Sequence, residues 1–345
     1  MAHKIERLWI EGPAGAMKLL VLGQREDGGH PGVLWIHGGG YRSGMPEMAF
    51  FSRAADLVRY FHAVVVTPEY RLSGTAPYPA ALDDCYAALL WLKEHAAELG
   101  VRSDQIMVGG ESAGGGLTAA LCMLARDRGE VNIAFQMPLY PMLDDRDTPS
   151  SRDNHAPVWN TAKNHSAWAK YLAGQDREHL SPYASPARQT DYRKLPPCYT
   201  FVGDAEPFYD ETLRFVENLH AAGVEAELDV FPGQFHAFDM FRPHSEAGVE
   251  AKASFLRHFE HAMNHYFAEN GTSAGDELKP GLYRHFKGKE YRLLFVARHS
   301  ETEEEMVVYQ AQYGERGYWV RPAAMWNETV ERDGVRMKRF TYIGP

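Results

Sequence analysis

The chain has little of what would mark a secreted, membrane-spanning or nucleic-acid-binding protein. Only three of its 345 residues are cysteine, Cys85, Cys122 and Cys198. None belongs to a C-x-x-C pair, and each sits in an apolar or helical context. That excludes a disulfide framework and reads as reduced thiols in a core. No apolar run reaches the length of a membrane span. The first residues, Met1-Ala2-His3-Lys4-Ile5-Glu6-Arg7, lack the apolar stretch of a signal peptide, so a cytoplasmic protein is expected. In that setting the sequons at Asn270 and Asn327 carry no weight. Cationic charge is also scarce: 36 Lys and Arg face 46 Asp and Glu, for a net charge of −10. That balance disfavours nucleic acid and anionic membrane as partners.

What is present is globular. Hydrophobic residues make up 45% and charged residues 24%, and the length suits one large domain plus a small module. The chain is organised around Val108-Gly109-Gly110-Glu111-Ser112-Ala113-Gly114-Gly115-Gly116, which contains G-x-S-x-G. An apolar, β-leaning run precedes it and a good helix former, Leu117 to Ala125, follows. Strand, tight turn and helix is the setting of a nucleophile elbow, which lifts the Ser112 hydroxyl to a helix N-terminus that favours an oxyanion. A second stretch, Pro31 to Ile36, is an apolar strand that runs into His37-Gly38-Gly39-Gly40-Tyr41. Bare glycine N–H groups there can point at a developing negative charge.

These two motifs, in this order, resemble the hormone-sensitive-lipase-like esterases of the α/β-hydrolase fold. Glu69-Tyr70-Arg71-Leu72, Pro77 to Asp84, Ser181 to Pro186 and Leu195-Pro196-Pro197 fit the same family, so the resemblance spans roughly residues 5 to 268. It implies a serine nucleophile at Ser112. It also implies an oxyanion hole from the N–H groups of Gly39, Gly40 and Ala113, and no cofactor or metal. The family has an aspartate-proline-leucine segment where this chain has Glu206-Pro207-Phe208, followed by Asp210-Glu211. Alignment on Pro207 puts Glu206 at the acid position, a departure that other α/β-hydrolases share. Asp204 is the reserve candidate, and Asp210 reads as structural. His236, in a loop after the strand Ala226 to Phe231, completes the order Ser, acid, His.

Strand and helix alternate along the first 270 residues, which predicts a doubly wound, mostly parallel α/β sheet with its ligand site at the strand carboxyl ends. Residues 4 to 23 read as an antiparallel pair. Apolar strands are expected at 33–37, 63–67 and 133–138, and helices at about 46–61, 79–98, 115–127, 208–222 and 245–268. Residues 142–195 break the alternation and carry Trp159, Trp168 and Tyr171 near a helix at 165–174. They read as a helical lid insertion, with its aromatics either shaping a pocket or packing the lid onto the sheet. His258, His261 and His265 have helical spacing but no completing carboxylate or cysteine, so they read as a solvated face.

Ala268 to Glu277 is polar and glycine-rich, a linker by composition. Beyond it, short aromatic and valine-rich strands joined by glycine turns predict a small all-β module, a barrel or curled sheet, over 276–345. This part resembles a small bacterial domain of unknown function through Tyr283-Arg284-His285-Phe286-Lys287-Gly288, Arg298 to Thr302 and Trp319-Val320-Arg321-Pro322. Arg284, His285, Arg298, His299 and Trp319 are candidates for a ligand site there. The alternative is structural, with His299 to Thr302 forming a hydrogen-bonded turn.

The combined expectation is a carboxylic ester hydrolase acting on short-chain, chiefly acetyl, esters. The resembled family usually carries an N-terminal helical cap, which is expected to be missing here. That would leave an open site able to take an acetylated carbohydrate. A small-molecule ester is the expected partner, and a homo-oligomer is open. An amidase or peptidase on the same fold, and a non-catalytic binding protein, are the alternatives.

Overall fold

The computed structural model describes residues 5–23, 28–268, 278, 280–300, 305–327, 329–332 and 335–344. The chain divides into two compact units, Met1–Asn270 and Gly271–Pro345.

The first unit is built on an eight-stranded sheet. In chain order its elements are β1 (Ile5–Gly12), β2 (Gly15–Leu22), β3 (His30–Ile36), α1 (Arg53–Phe61), β4 (Val64–Pro68), α2 (Ala80–Glu94), β5 (Val101–Glu111) and α3 (Ala113–Arg128). Then follow β6 (Phe135–Leu139), α4 (Pro149–Arg152), α5 (Thr161–Tyr171), β7 (Cys198–Gly203), α6 (Tyr209–Ala221), β8 (Ala226–Phe231), α7 (Phe238–Phe241) and α8 (Glu246–His265). The strand order is β1-β2-β4-β3-β5-β6-β7-β8. Strands β1, β2 and β4 pair antiparallel, and every pairing from β4 to β8 is parallel.

The central strands are apolar on both faces because helices cover both. Leu34 and Ile36 of β3 join the cluster under α2, α3 and α6, whereas Val33 and Trp35 join the one under α1 and α8. This is the alternation a strand imposes, put to use twice. The three cysteines are buried and free.

The structure departs from the sequence expectation near residue 50. A single helix over 46–61 is divided into a 3-10 segment, Pro46–Phe51, and α1. Ser52 makes the break: its backbone is extended and its side chain accepts the Ala54 N–H at 3.2 Å, an N-cap. The helix expected to run to residue 98 ends at Glu94, and the one expected from 165 begins at Thr161 under an Asn160 cap. No helix among the described residues is long and apolar enough to cross a membrane.

The second unit holds β9 (Gly281–His285), β10 (Glu290–Arg298), β11 (Glu305–Ala311), β12 (Tyr318–Pro322), α9 (Ala323–Asn327), β13 (Thr329–Arg332), β14 (Val335–Lys338) and β15 (Phe340–Gly344). Five of the strands form one antiparallel sheet, β12-β11-β10-β9-β15, and β13 pairs with β14. Tyr283, Leu293, Val307, Tyr309, Ala323, Trp326 and Phe340 make its core. The short helix α9 was not expected from the sequence. The Glu301-Thr302 part of the anticipated turn, and the linker residues 269–277, lie outside the described residues.

Candidate active site

Strand β5 ends at Glu111 and α3 begins at Ala113, so Ser112 alone makes the turn. It does so with φ 58° and ψ −118°, a backbone that a non-glycine residue adopts only under strain. Strain of that kind needs an anchor. The Ser112 N–H donates to Leu139 O, and its carbonyl accepts the N–H groups of Gly116 and Met142, each at 3.0 Å. The turn also needs bare backbone: a Cβ on Gly114 would lie 2.0 Å from the Ile36 carbonyl oxygen.

His236 follows β8 and its Nε2 lies 2.8 Å from Ser112 Oγ. Its other ring nitrogen, Nδ1, makes a short hydrogen bond to Glu206 Oε2. With a carboxylate accepting at Nδ1, the proton belongs there, and Nε2 is left to accept from the serine hydroxyl. Glu206 comes from the β7–α6 turn, where its other oxygen accepts the Gly203 N–H at 3.1 Å. All three side chains are buried, and Glu206 is fully so. Asp204 faces elsewhere: it is exposed and accepts the Gly233 N–H at 2.6 Å, closing the loop before His236. Asp210 accepts the Ser150 N–H at 2.6 Å and so joins α4 of the lid to α6.

Beside the serine, Gly39 and Gly40 take φ values of +117° and +60°. Neither N–H donates to a protein acceptor among the described residues. The Ala113 N–H is the first of a helix and has no intrahelical partner. His37, at the head of this loop, is structural. It stacks on Tyr70 at 4.2 Å, its Nδ1 bonds the Gly38 carbonyl at 2.7 Å, and burial pushes its pKa down to about 4. It is therefore neutral near pH 7 and adds no cation to the site.

The lid aromatics divide between the two readings. Trp159 closes the site: its ring lies 6.2 Å from His236 and covers Gly40, whose Cβ, if present, would be 2.3 Å from it. Phe208 packs beside it, 6.4 Å from Trp159 and 5.0 Å from His236. Trp168 and Tyr171 instead pack the lid down, onto Tyr41 at 5.6 and 3.9 Å. Of the helical histidines, His258 stacks on Tyr199 at 4.0 Å and His261 on His265 at 4.1 Å. His258 is thus half-buried rather than solvated. No cluster of three or more His, Cys, Asp or Glu side chains among the described residues is placed to hold a metal ion.

Sequence reasoning missed a buried ionic group behind the elbow. Glu111, next to Ser112, accepts the Trp35 indole N–H at 2.9 Å, and its other oxygen has no hydrogen-bond partner. Burial pushes its carboxyl up to about 8. Arg53 of α1 pairs with Asp56 at 2.7 Å and with Asp239, three residues after His236, at 3.2 Å. Tyr140 lies between, its ring 5.1 Å from His236. One signal was available: Arg53 and Asp56 are opposite charges three apart at the start of a helix that is largely apolar between Ala54 and Val58.

The chain resembles known proteins in the same terms. Residues 33–240 match a family described as the alpha/beta hydrolase fold. Residues 281–342 match a protein of unknown function family, DUF1653. Carboxylesterase NlhH of Mycobacterium tuberculosis is 35% identical over 243 residues, 68% of this chain and 74% of that protein. Esterase LipI of the same organism is 35% identical over 231 residues, 65% and 72% of the two chains. The solved structure of a bacterial heroin esterase is similar at a TM-score of 0.72 and 33% identity, covering 76% of this chain and 85% of that one. Topology and sequence likeness agree, and the chain belongs to the alpha/beta hydrolase fold family.

Proposed function

We propose that the first unit hydrolyses short-chain, chiefly acetyl, carboxylic esters with Ser112 as nucleophile, His236 as base and acid, and Glu206 as the acid that orients it. Ester hydrolysis itself follows from the family and its esterase relatives. The observation that carries the residue roles is the hydrogen-bonded line from Ser112 Oγ through His236 to Glu206. Ser112 Oγ attacks the acyl carbon while its proton passes to His236 Nε2. The carbonyl oxygen becomes an oxyanion, held by the N–H groups of Gly39, Gly40 and Ala113. The C–O bond then breaks, and the alcohol leaves with the proton from Nε2. A water molecule, deprotonated by the same nitrogen, hydrolyses the acyl-serine. Glu206 keeps the imidazole in the Nδ1–H tautomer and offsets its charge in both transition states.

The short acyl preference rests on Trp159 and Phe208, two large rings set against His236 with Trp159 over Gly40. For the alcohol half we propose an acetylated carbohydrate as the first substrate to try. The test is hydrolysis of p-nitrophenyl esters from acetate to dodecanoate, beside a peracetylated sugar, by the wild type and Ser112→Ala. The expected result is highest kcat/KM at acetate, with Ser112→Ala lowering kcat by about a millionfold. Full activity in Ser112→Ala would refute the serine mechanism. A peak at long chains would refute the acyl assignment. Acetate ester cleavage without release of acetate from the sugar would refute the alcohol assignment alone.

A further inference from the structure

The second unit matches a family of unknown function, and its sheet carries a feature that structure alone does not require. In the register of β11 and β12, Arg321 lies opposite Val307 and Trp319 opposite Tyr309. Directly opposed residues share a face. Val307 and Tyr309 are buried core residues, so Arg321 issues from the core face of the sheet. The same register places Tyr283, His285, Tyr291 and Phe340 on that face.

The sheet is curled about this face. Strands β12 and β15 are its two edges, and in a flat five-stranded sheet they would stand roughly 19 Å apart. Instead the Arg321 guanidinium lies 5.7 Å from the centre of the Phe340 ring. Trp326 of α9 stacks flat on the same ring at 3.8 Å and fills the seam. One edge therefore folds over towards the other, and the Arg321 guanidinium comes to lie over the Phe340 ring.

Its environment there is wrong for a scaffold arginine. Nη1 of Arg321 is shielded from solvent and has no hydrogen-bond partner among the described residues. The rings around it, Phe340, His285 and Tyr291, lie within 6.2 Å of one another and offer no carboxylate. His285 feels burial and three cations, Arg339, Arg321 and Lys287, which together hold its pKa below the ordinary value. By contrast Arg284, on the outer face, already has Glu290 at 3.0 Å. A guanidinium nitrogen withdrawn from water and left unpaired is unfavourable unless something else occupies it. The planar fork of arginine matches a carboxylate or a phosphate, and the rings supply apolar walls for an attached group.

We propose that this module binds a small oxyanion, the carboxylate or phosphate group of a ligand with a flat apolar portion, on the core face of its curled sheet, with Arg321 as the anchoring cation. Trp319, on the same face but exposed, stands at the open side. Arg284 drops out of the ligand set expected from the sequence, and His285 stays in it as a wall.

The test is calorimetric titration of the full chain with benzoate, phenyl phosphate and inorganic phosphate at millimolar concentrations. Binding of benzoate alone assigns a carboxylate, and binding of either phosphate probe assigns a phosphate. In either case Arg321→Met should weaken binding by about tenfold or more, and Ser112→Ala should leave it unchanged. Absence of binding by all three probes overturns the proposal. So does equal affinity in Arg321→Met, or loss of binding in Ser112→Ala, which would place the site in the catalytic unit. A thermal melt separates ligand binding from scaffolding. If Nη1 is unpaired, Arg321→Met leaves the module's midpoint unchanged or higher. A variant that unfolds assigns Arg321 to the scaffold and also overturns the proposal.

Discussion

Glu111→Gln tests whether the carboxyl beside the nucleophile is neutral. Its ordinary pKa of 4.5 is pushed up to about 8, first by burial and then by the nearby Asp239 carboxylate, against the pull of Trp35 and Arg53. A carboxyl raised in the folded state contributes stability that is complete below its unfolded pKa and is lost as pH rises through the folded one. Between pH 4.5 and 8 the unfolded chain ionises Glu111 while the folded chain keeps it protonated. Each pH unit in that window then costs the wild type about 1.4 kcal/mol, and the plateau is reached above 8. Glutamine has the same shape and no proton to lose. The stability of Glu111→Gln relative to wild type should therefore improve by roughly 2–3 kcal/mol between pH 5 and pH 7. The comparison removes every other titrating group, and it also removes any fixed offset from the amide. The assay is urea denaturation of both proteins at four or five pH values, followed through the transition of the first unit. A difference that does not change with pH would refute the reasoning, because Glu111 would then be ionised in the folded protein.

Other outcomes follow from the same geometry. Glu206→Gln should lower kcat for p-nitrophenyl acetate by about 10⁴-fold, as loss of the orienting carboxylate does in a serine triad, while Asp204→Asn should change it by less than about threefold. A large loss in Asp204→Asn and a small one in Glu206→Gln would exchange their roles. Trp159→Ala should open the space over Gly40 and move the best acyl chain to longer esters, with kcat/KM for acetate falling more than for hexanoate. An unchanged chain-length profile would show that Trp159 is only lid packing.

The candidate catalytic residues could be named from the sequence because local chemistry constrains them. A serine at a strained turn needs small neighbours, and that leaves G-x-S-x-G in the sequence; Gly114 could not carry a Cβ against the Ile36 carbonyl. Glu206 was legible only through Pro207 and the Asp210-Glu211 pair, since nothing local distinguishes it from Asp204. What separates them in space is which way the β7–α6 turn faces: Glu206 meets His236 and Asp204 meets the Gly233 N–H. Trp159 and Trp168 show the same limit. Both are aromatic residues of one insertion, yet one lies over the site and the other under the lid. The break at Ser52 was missed because the apolar pattern runs straight through it, and a single side-chain cap outweighed that pattern. In the module the strands were visible as valine and aromatic runs. The position of Arg321 on the core face depends on its pairing with Val307, which composition does not record.

The group formed by Arg53, Asp56 and Asp239 was invisible for a different reason: its energy belongs to the set, not to any member. Arg53 is 6% exposed and Asp239 is fully buried, and Lys252 completes the set at Asp56. Burial raises the Asp239 carboxyl, so Arg53 is what keeps its charged form tolerable. Removing one partner of a buried pair leaves an unpaired charge, and Arg53→Met should cost about 3–5 kcal/mol. Removing both partners should cost less than removing one, so Asp239→Asn added to Arg53→Met should recover most of that loss. The pair also joins α1 to the helix that begins two residues after His236, and through it the imidazole is held against Ser112. Activity in the single variant should therefore fall in kcat more than in KM, and return with stability in the double variant. Additive losses in the two substitutions would mean that the residues act independently, and the ionic group would then be no part of how His236 is placed.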